Sequence, residues 1–184
     1  MVIAGTALLA TGVAWLTRDL GWLAFVGAAG VIAAFVHQMV RRDGRPRLVE
    51  TLSATVTGLV VVASGVGWLT ASLLPDGIEV VLVSAACLLA AAMTTIIPAS
   101  GPVVATAAAV IAGAVGTLVG SLLPSVGVVP GVLIGVVGGG IMALSHLMFN
   151  QFPASGYRRA ALAAALMPVA TLGGAVHLLA QALG

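Results

Sequence analysis

Long apolar runs follow one another along this chain, and only short polar or turn-forming breaks separate them. Crossing the hydrocarbon core of a bilayer as a helix takes about 20 predominantly apolar residues. Separate runs of this length must span as helices, because each has to satisfy its own backbone hydrogen bonds. The pattern therefore predicts an all-α fold, a polytopic transmembrane helical bundle of about seven spans. The predicted spans cover residues 2–17, 21–40, 51–74, 79–97, 102–123, 126–149 and 158–182.

The breaks between spans contain turns and no room for a separate soluble domain. Residues 41–47 form the one clearly polar loop, and the other breaks are short stretches rich in Pro, Gly, Ser or Asp. Hydrophobic residues make up 61% of the chain and charged residues 7%, against about 25% charged residues in a soluble domain. We therefore expect contact with the lipid bilayer and none with nucleic acid, despite the net charge of +2.

All seven basic residues are arginines, and their placement predicts the orientation of the chain. In a seven-span chain, the loops after spans two and six share one side, which the positive-inside rule makes cytoplasmic, together with the N-terminus. Arginine without lysine, beside much Ala, Gly and Val, is typical of a GC-rich bacterial genome and indicates a bacterial cytoplasmic membrane protein. The six arginines of these loops are also candidate contacts for anionic lipid headgroups. They are Arg41, Arg42, Arg45, Arg47, Arg158 and Arg159.

Two parts of the sequence resemble each other at a shift of 108 to 109 positions. The segment Val-Ile-Ala-Gly at residues 2–5 recurs at residues 110–113, and His37 and Met39 match His146 and Met148. The match predicts a first three-helix unit over residues 1–74, a linker helix over 75–101 and a second three-helix unit over 102–184, within one membrane domain. An odd number of helices separates equivalent spans, so the two units run parallel, related by an axis along the membrane normal.

The candidate substrate path consists of polar residues near the cytoplasmic ends of spans two and six. They are His37, Gln38, Ser145, His146 and Asn150. Hydrogen bonding between helices is the simpler interpretation of these residues. A metal or haem site would need further ligands, and none has the required spacing, so we predict no metal, no cofactor and no catalytic residue. His177, near the outer end of span seven, is interpreted as an interfacial residue.

Small residues recur every four positions on spans five and six. Gly131, Gly135 and Gly139 share one face of span six, and Ala109 and Gly113 share one face of span five. Glycine facing another helix allows the two backbones to approach closely, whereas glycine facing lipid gains little. The spacing therefore predicts that these two faces pack against each other.

Two functions from different classes fit this pattern. One is a small permease or facilitator for an unidentified small or lipidic substrate. No Asp, Glu or Arg lies at the middle of a predicted span, which disfavours a proton-driven pump and leaves a facilitator open. The alternative is a non-catalytic accessory subunit of a larger membrane complex, and either protein could form a homo-oligomer. A lipid-handling enzyme has less support, because no acidic metal-binding motif accompanies the arginine-rich loop and Glu50.

Cysteine labelling tests the orientation. In a Cys87→Ala background, we expect Gly44→Cys and Gly156→Cys, in the two arginine-containing loops, to resist a membrane-impermeant maleimide in intact cells. Both should react in inside-out vesicles. Ser125→Cys, in the break before span six on the opposite side, is the control and should react from outside. Reaction of position 44 or 156 in intact cells would contradict this topology.

Overall fold

The computed structural model describes residues 2–17, 21–40, 48–151 and 158–183, and their regular secondary structure is entirely α-helical. The prediction of a helical membrane bundle is confirmed, and the helix bounds agree with the predicted spans to within a few residues. In chain order the helices are α1 (Val2–Thr17), α2 (Gly21–Val40), α3 (Leu48–Ser72), α4 (Gly77–Thr94), α5 (Gly101–Leu122), α6 (Val128–Gln151) and α7 (Arg158–Leu183).

Six of the described helices, α2 to α7, are long and apolar enough to cross a membrane. The helix α1 has 16 residues and is therefore about 24 Å long, which is shorter than a hydrocarbon core of about 30 Å. Crossing the full core would thus require local thinning of the bilayer around α1.

The helices pack as a central bundle with a peripheral pair. The most extensive contact joins α5 to α6, and α4 packs against both of them. The next most extensive contact joins α3 to α7, and α7 also contacts α4 and α6. Within the described ranges, α2 contacts only α1 and α3. The main core accordingly lies among α3 to α7, where Ala71, Val83, Ala112, Ile134 and Leu172 are buried.

The helices α5 and α6 touch backbone to backbone. A Cβ atom added to Gly135 would collide with the carbonyl oxygen of Ala112 and lie 2.8 Å from the Cα atom of Gly113. A Cβ atom added to Gly139 would lie 2.8 Å from the Cα atom of Ala109. The glycine face of α6 thus lies against the small-residue face of α5, and dispersion contact between the two backbones replaces side-chain packing.

A second close approach pairs α3 with α7. A Cβ atom added to Gly67 would collide with the carbonyl oxygen of Gly173, and one added to Gly173 would collide with the carbonyl oxygen of Ser64. The Trp68 indole N–H donates a hydrogen bond of 2.7 Å to the carbonyl oxygen of Val169. Residues 53–62 of α3 line one groove together with residues 163–170 of α7, and the close contact between residues 64–68 and 169–174 follows farther along both helices. The helices α3 and α7 therefore run parallel, as two odd-numbered spans must.

The turns at one end of the bundle are joined by a polar contact. The Ser125 backbone N–H, between α5 and α6, donates a hydrogen bond of 3.1 Å to the Glu79 carboxylate in the first turn of α4. Asp76 precedes α4 in a left-handed conformation with φ of 54°. The α3–α4 and α5–α6 turns therefore lie at the same end, as alternating spans require.

The two predicted three-helix units differ in how their helices pair. In the first unit α1 contacts α3, whereas the described residues of α5 make no contact with those of α7. The internal repeat and the division at residues 75–101 therefore stay predictions based on the sequence match.

Replacing Gly135 by alanine tests the α5–α6 contact. The added methyl group would meet the Ala112 carbonyl, so we expect a loss of about 1–3 kcal/mol in stability, as overpacking causes in tight cores. Thermal unfolding in mild detergent measures this loss of stability. Gly140→Ala is the matched control, because no atom lies within 4 Å of a Cβ atom added there. Equal melting temperatures for the two variants would show that this face is not packed.

Candidate functional site

A polar cleft of about 260 Å³ opens between α6 and α7, beside the end of α4. It lies where α6 ends and α7 begins, at the end of the bundle that the arginine distribution predicts to be cytoplasmic. Three of the five residues predicted for the substrate path line it. The full lining consists of Thr95, Met142, Ser145, His146, Phe149, Asn150, Ala161, Ala164, Ala165 and Pro168.

Helical spacing places the polar residues of α6 on one face. Ser145, His146 and Asn150 follow one another at offsets of one and four residues, so all three project toward the cleft between α6 and α7. Leu144, on the same helix, is 69% exposed and does not line the cleft. Ser145 and His146 are half-buried, whereas Asn150, in the last turn of α6, is exposed.

The His146 and Asn150 side chains form a hydrogen-bonded pair. Asn150 Nδ2 lies 3.1 Å from His146 Nε2. With the amide nitrogen at this position, Asn150 donates and the ring nitrogen accepts. The Asn150 amide has a second hydrogen and an oxygen that can form further hydrogen bonds.

Two hydroxyl groups complete the polar lining. The Ser145 hydroxyl donates a hydrogen bond of 2.8 Å to the Ile141 carbonyl, and the Thr95 hydroxyl donates one of 2.7 Å to the Ala92 carbonyl. Each hydroxyl proton is thus committed to the residue's own helix, which is the usual way that Ser and Thr are accommodated in a membrane helix. The hydroxyl oxygens retain lone pairs that can accept a hydrogen bond.

Pro168 interrupts the hydrogen bonding of α7 beside the cleft. Proline has no backbone N–H, so the carbonyl of Ala164 lacks its usual donor four residues later. Ala164 and Pro168 both line the cleft. Such a break is tolerated within a membrane protein where neighbouring groups or a cavity can satisfy the freed carbonyl.

The charge around the cleft favours neutral or anionic solutes. None of its described lining residues is a carboxylate. It adjoins the first turns of α7, whose N-terminal backbone N–H groups carry partial positive charge. Arg158 and Arg159 are the first two residues of that helix. A cation would therefore meet no opposite charge among the described lining residues.

The structure does not bring the other two predicted residues to this cleft. His37 and Gln38 lie on α2, which contacts only α1 and α3 within the described ranges. Gln38 is buried, whereas His37 is exposed. An arrangement with His37 facing His146 is therefore absent from the described residues. Residues 41–47, with four of the candidate lipid-contacting arginines, lie outside the described ranges, and only the backbone of Arg158 and Arg159 is described.

The interpretation of His177 as an interfacial residue was wrong, because the side chain is only 1% exposed. The α3–α7 contact at Gly67 and Gly173 places His177 close to the level of Thr70, and both belong to the buried polar residues of the bundle. His177 lies one turn beyond Gly173 and so shares its face, but only the structure shows that this face packs against α3.

The described residues contain no group of three His, Cys, Asp or Glu side chains placed to hold a metal ion. No family model, curated protein or solved structure matches the chain. Functional inference therefore rests on the geometry of the cleft and of the bundle around it.

Thiol labelling at Ser145 tests whether the cleft is open to water. In the Cys87→Ala background we expect Ser145→Cys to react with a hydrophilic methanethiosulfonate reagent in inside-out vesicles. Ser84→Cys is the matched control, because Ser84 is fully buried within the bundle, and it should not react without denaturant. Equal protection of the two positions would show that the cleft is closed to solvent.

Proposed function

We propose that this protein is a small multi-pass membrane permease of the facilitator type, and that the α6–α7 cleft is its solute-binding site. The observation that supports this most directly is the convergence of Ser145, His146 and Asn150 with Thr95 on one cleft. Ligand sites combine apolar walls with a few convergent polar groups, and Met142 and Phe149 provide such walls here.

An apolar layer separates this cleft from the buried polar residues farther along the bundle. A Cβ atom added to Gly138 would lie 3.6 Å from Leu172 and 3.9 Å from Cys87, so α4, α6 and α7 meet closely at this level. In the proposed mechanism this layer is the barrier of a cytoplasm-facing state. His177 and Thr70, beyond the layer, would receive the solute once the barrier opens.

Pro168 is placed where a hinge would be needed. It lies between the cleft-lining half of α7 and the half that is packed against α3 through Gly173. Loss of one backbone hydrogen bond makes a proline the usual position of a bend in a helix. Bending here would move the first half of α7 against a fixed second half and so change the width of the cleft.

The proposed substrate is a small polar solute that is neutral or anionic. Hydrogen-bond donors and acceptors line the cleft, and none of its described lining residues is a carboxylate that would attract a cation. In the described helices, Glu50 and Glu79 lie in first turns, away from the middle of the spans. Downhill movement needs no intramembrane acid to couple transport to protons.

One observation favours the alternative of an accessory subunit. An apolar groove of about 390 Å³ runs between α2 and α3, and small residues such as Ala24, Gly27, Ala28 and Ala63 line part of it. Small residues on exposed helix faces allow a partner helix to approach closely. A stoichiometric partner that co-purifies in mild detergent would support this function in place of the first.

Flux into proteoliposomes tests the facilitator proposal. We expect the purified protein to accelerate osmotic swelling with at least one solute from a panel of glycerol, urea, formate and acetate. His146→Ala and Asn150→Ala should each lower that flux roughly 3- to 10-fold, which corresponds to loss of one neutral hydrogen bond.

The matched control is Leu144→Ala, on the lipid-facing side of the same helix, and its flux should equal that of the parent protein. Swelling no faster than in protein-free liposomes for every solute would contradict the facilitator proposal. Equal flux in the Leu144, His146 and Asn150 variants would contradict the assignment of the cleft.

A further inference from the structure

A second, apolar groove of about 650 Å³ lies on the opposite side of α7 from the cleft. Its floor is α3, at Ala54 and Gly58, and its walls come from Ile3 of α1 and from Ala163 and Ala170 of α7. None of its lining residues belongs to the cleft. The volume falls within the range of about 300–1,000 Å³ typical of small-molecule sites.

The groove extends over about one leaflet of a bilayer. On α3 it runs from Ser53 to Val62, and on α7 from Ala163 to Ala170. The longer of these stretches covers about 14 Å of helix axis, roughly half of a 30 Å hydrocarbon core. This length matches an acyl chain of a single leaflet.

The groove opens toward the positively charged end of the bundle. It begins five residues after the start of both α3 and α7, and α7 starts with Arg158 and Arg159. None of the described lining residues of the groove is acidic, and Glu50 lies one turn before Ser53, in the first turn of α3. Arginine beside an apolar groove of leaflet length is complementary to an anionic phospholipid, whose phosphate lies at the membrane surface above its acyl chain.

We propose that an anionic phospholipid of the arginine-side leaflet occupies this groove, with one acyl chain between α1, α3 and α7 and its headgroup at the start of α7. Within the described ranges α1 does not contact α7, so the acyl chain would fill the space between them. The lipid would join the peripheral helices to the first half of α7. This inference does not depend on solute transport, since the two sites share no lining residue.

Native mass spectrometry in mild detergent, with phosphatidylglycerol and phosphatidylcholine of the same acyl chains, tests the proposal. We expect the parent protein to retain one phosphatidylglycerol in preference to phosphatidylcholine. Ala163→Trp should abolish retention of both lipids, because the indole fills the groove. Leu162→Trp is the matched control: Leu162 is 64% exposed and lies outside the groove, so retention should be unchanged.

The double variant Arg158→Gln/Arg159→Gln separates charge from shape. It should reduce the preference for phosphatidylglycerol by roughly fivefold for each arginine and leave retention of phosphatidylcholine unchanged. Should Ala163→Trp fail to fold, this variant still decides the role of the arginines.

Three results would overturn the lipid proposal. The first is equal retention of the two lipids by the parent protein. The second is that folded Ala163→Trp, or the double arginine variant, retains phosphatidylglycerol as well as the parent protein does. The third is a dimer of the parent that Ala163→Trp dissociates, which would identify a second copy as the occupant. None of these results bears on the swelling assay, so the two proposals can fail separately.

Discussion

Direct contact between helix backbones, made possible by glycine, is the constraint on which this structure depends. In lipid there is little hydrophobic gain from joining two apolar helices, so association relies on close van der Waals packing. The glycine faces of α5 and α6 supply it in one half of the central bundle, and Gly67 and Gly173 supply it between α3 and α7 in the other. The helix α4 lies between these two pairs and contacts both.

In this arrangement the two halves of α7 are packed to different extents. Beyond Pro168 the helix is fixed against α3 through Gly173, and Leu172 and Val176 enter the main core. Before Pro168, Leu162 and Leu166 are largely exposed. This first half borders both the polar cleft and the apolar groove. A solute in one and a lipid in the other would therefore act on the same, less constrained segment.

Polar groups are accommodated in this bundle mainly by the helices that carry them. The hydroxyls of Thr70 and Ser84 donate to carbonyls of their own helices, three or four residues earlier. These bonds satisfy the donors without a partner on another helix. The bond between His146 and Asn150 also lies within one helix, but it joins two side chains, and both residues line the cleft.

The sequence by itself determined the helices and their ends. A membrane span must satisfy its backbone within one segment, which is a local requirement that apolar length and turn residues reveal. The small-residue faces of α5 and α6 were also readable, because helical spacing defines a face without reference to a partner. The sequence also indicated Ser145, His146 and Asn150 as candidate site residues, since polar residues stand out in an apolar run. Tertiary structure alone decided that His37 lies away from His146, that His177 is buried, and that Pro168 and Thr95 complete the cleft. The physical reason is that these helices are apolar on nearly every face, so their hydrophobic pattern contains little information about which face meets which neighbour.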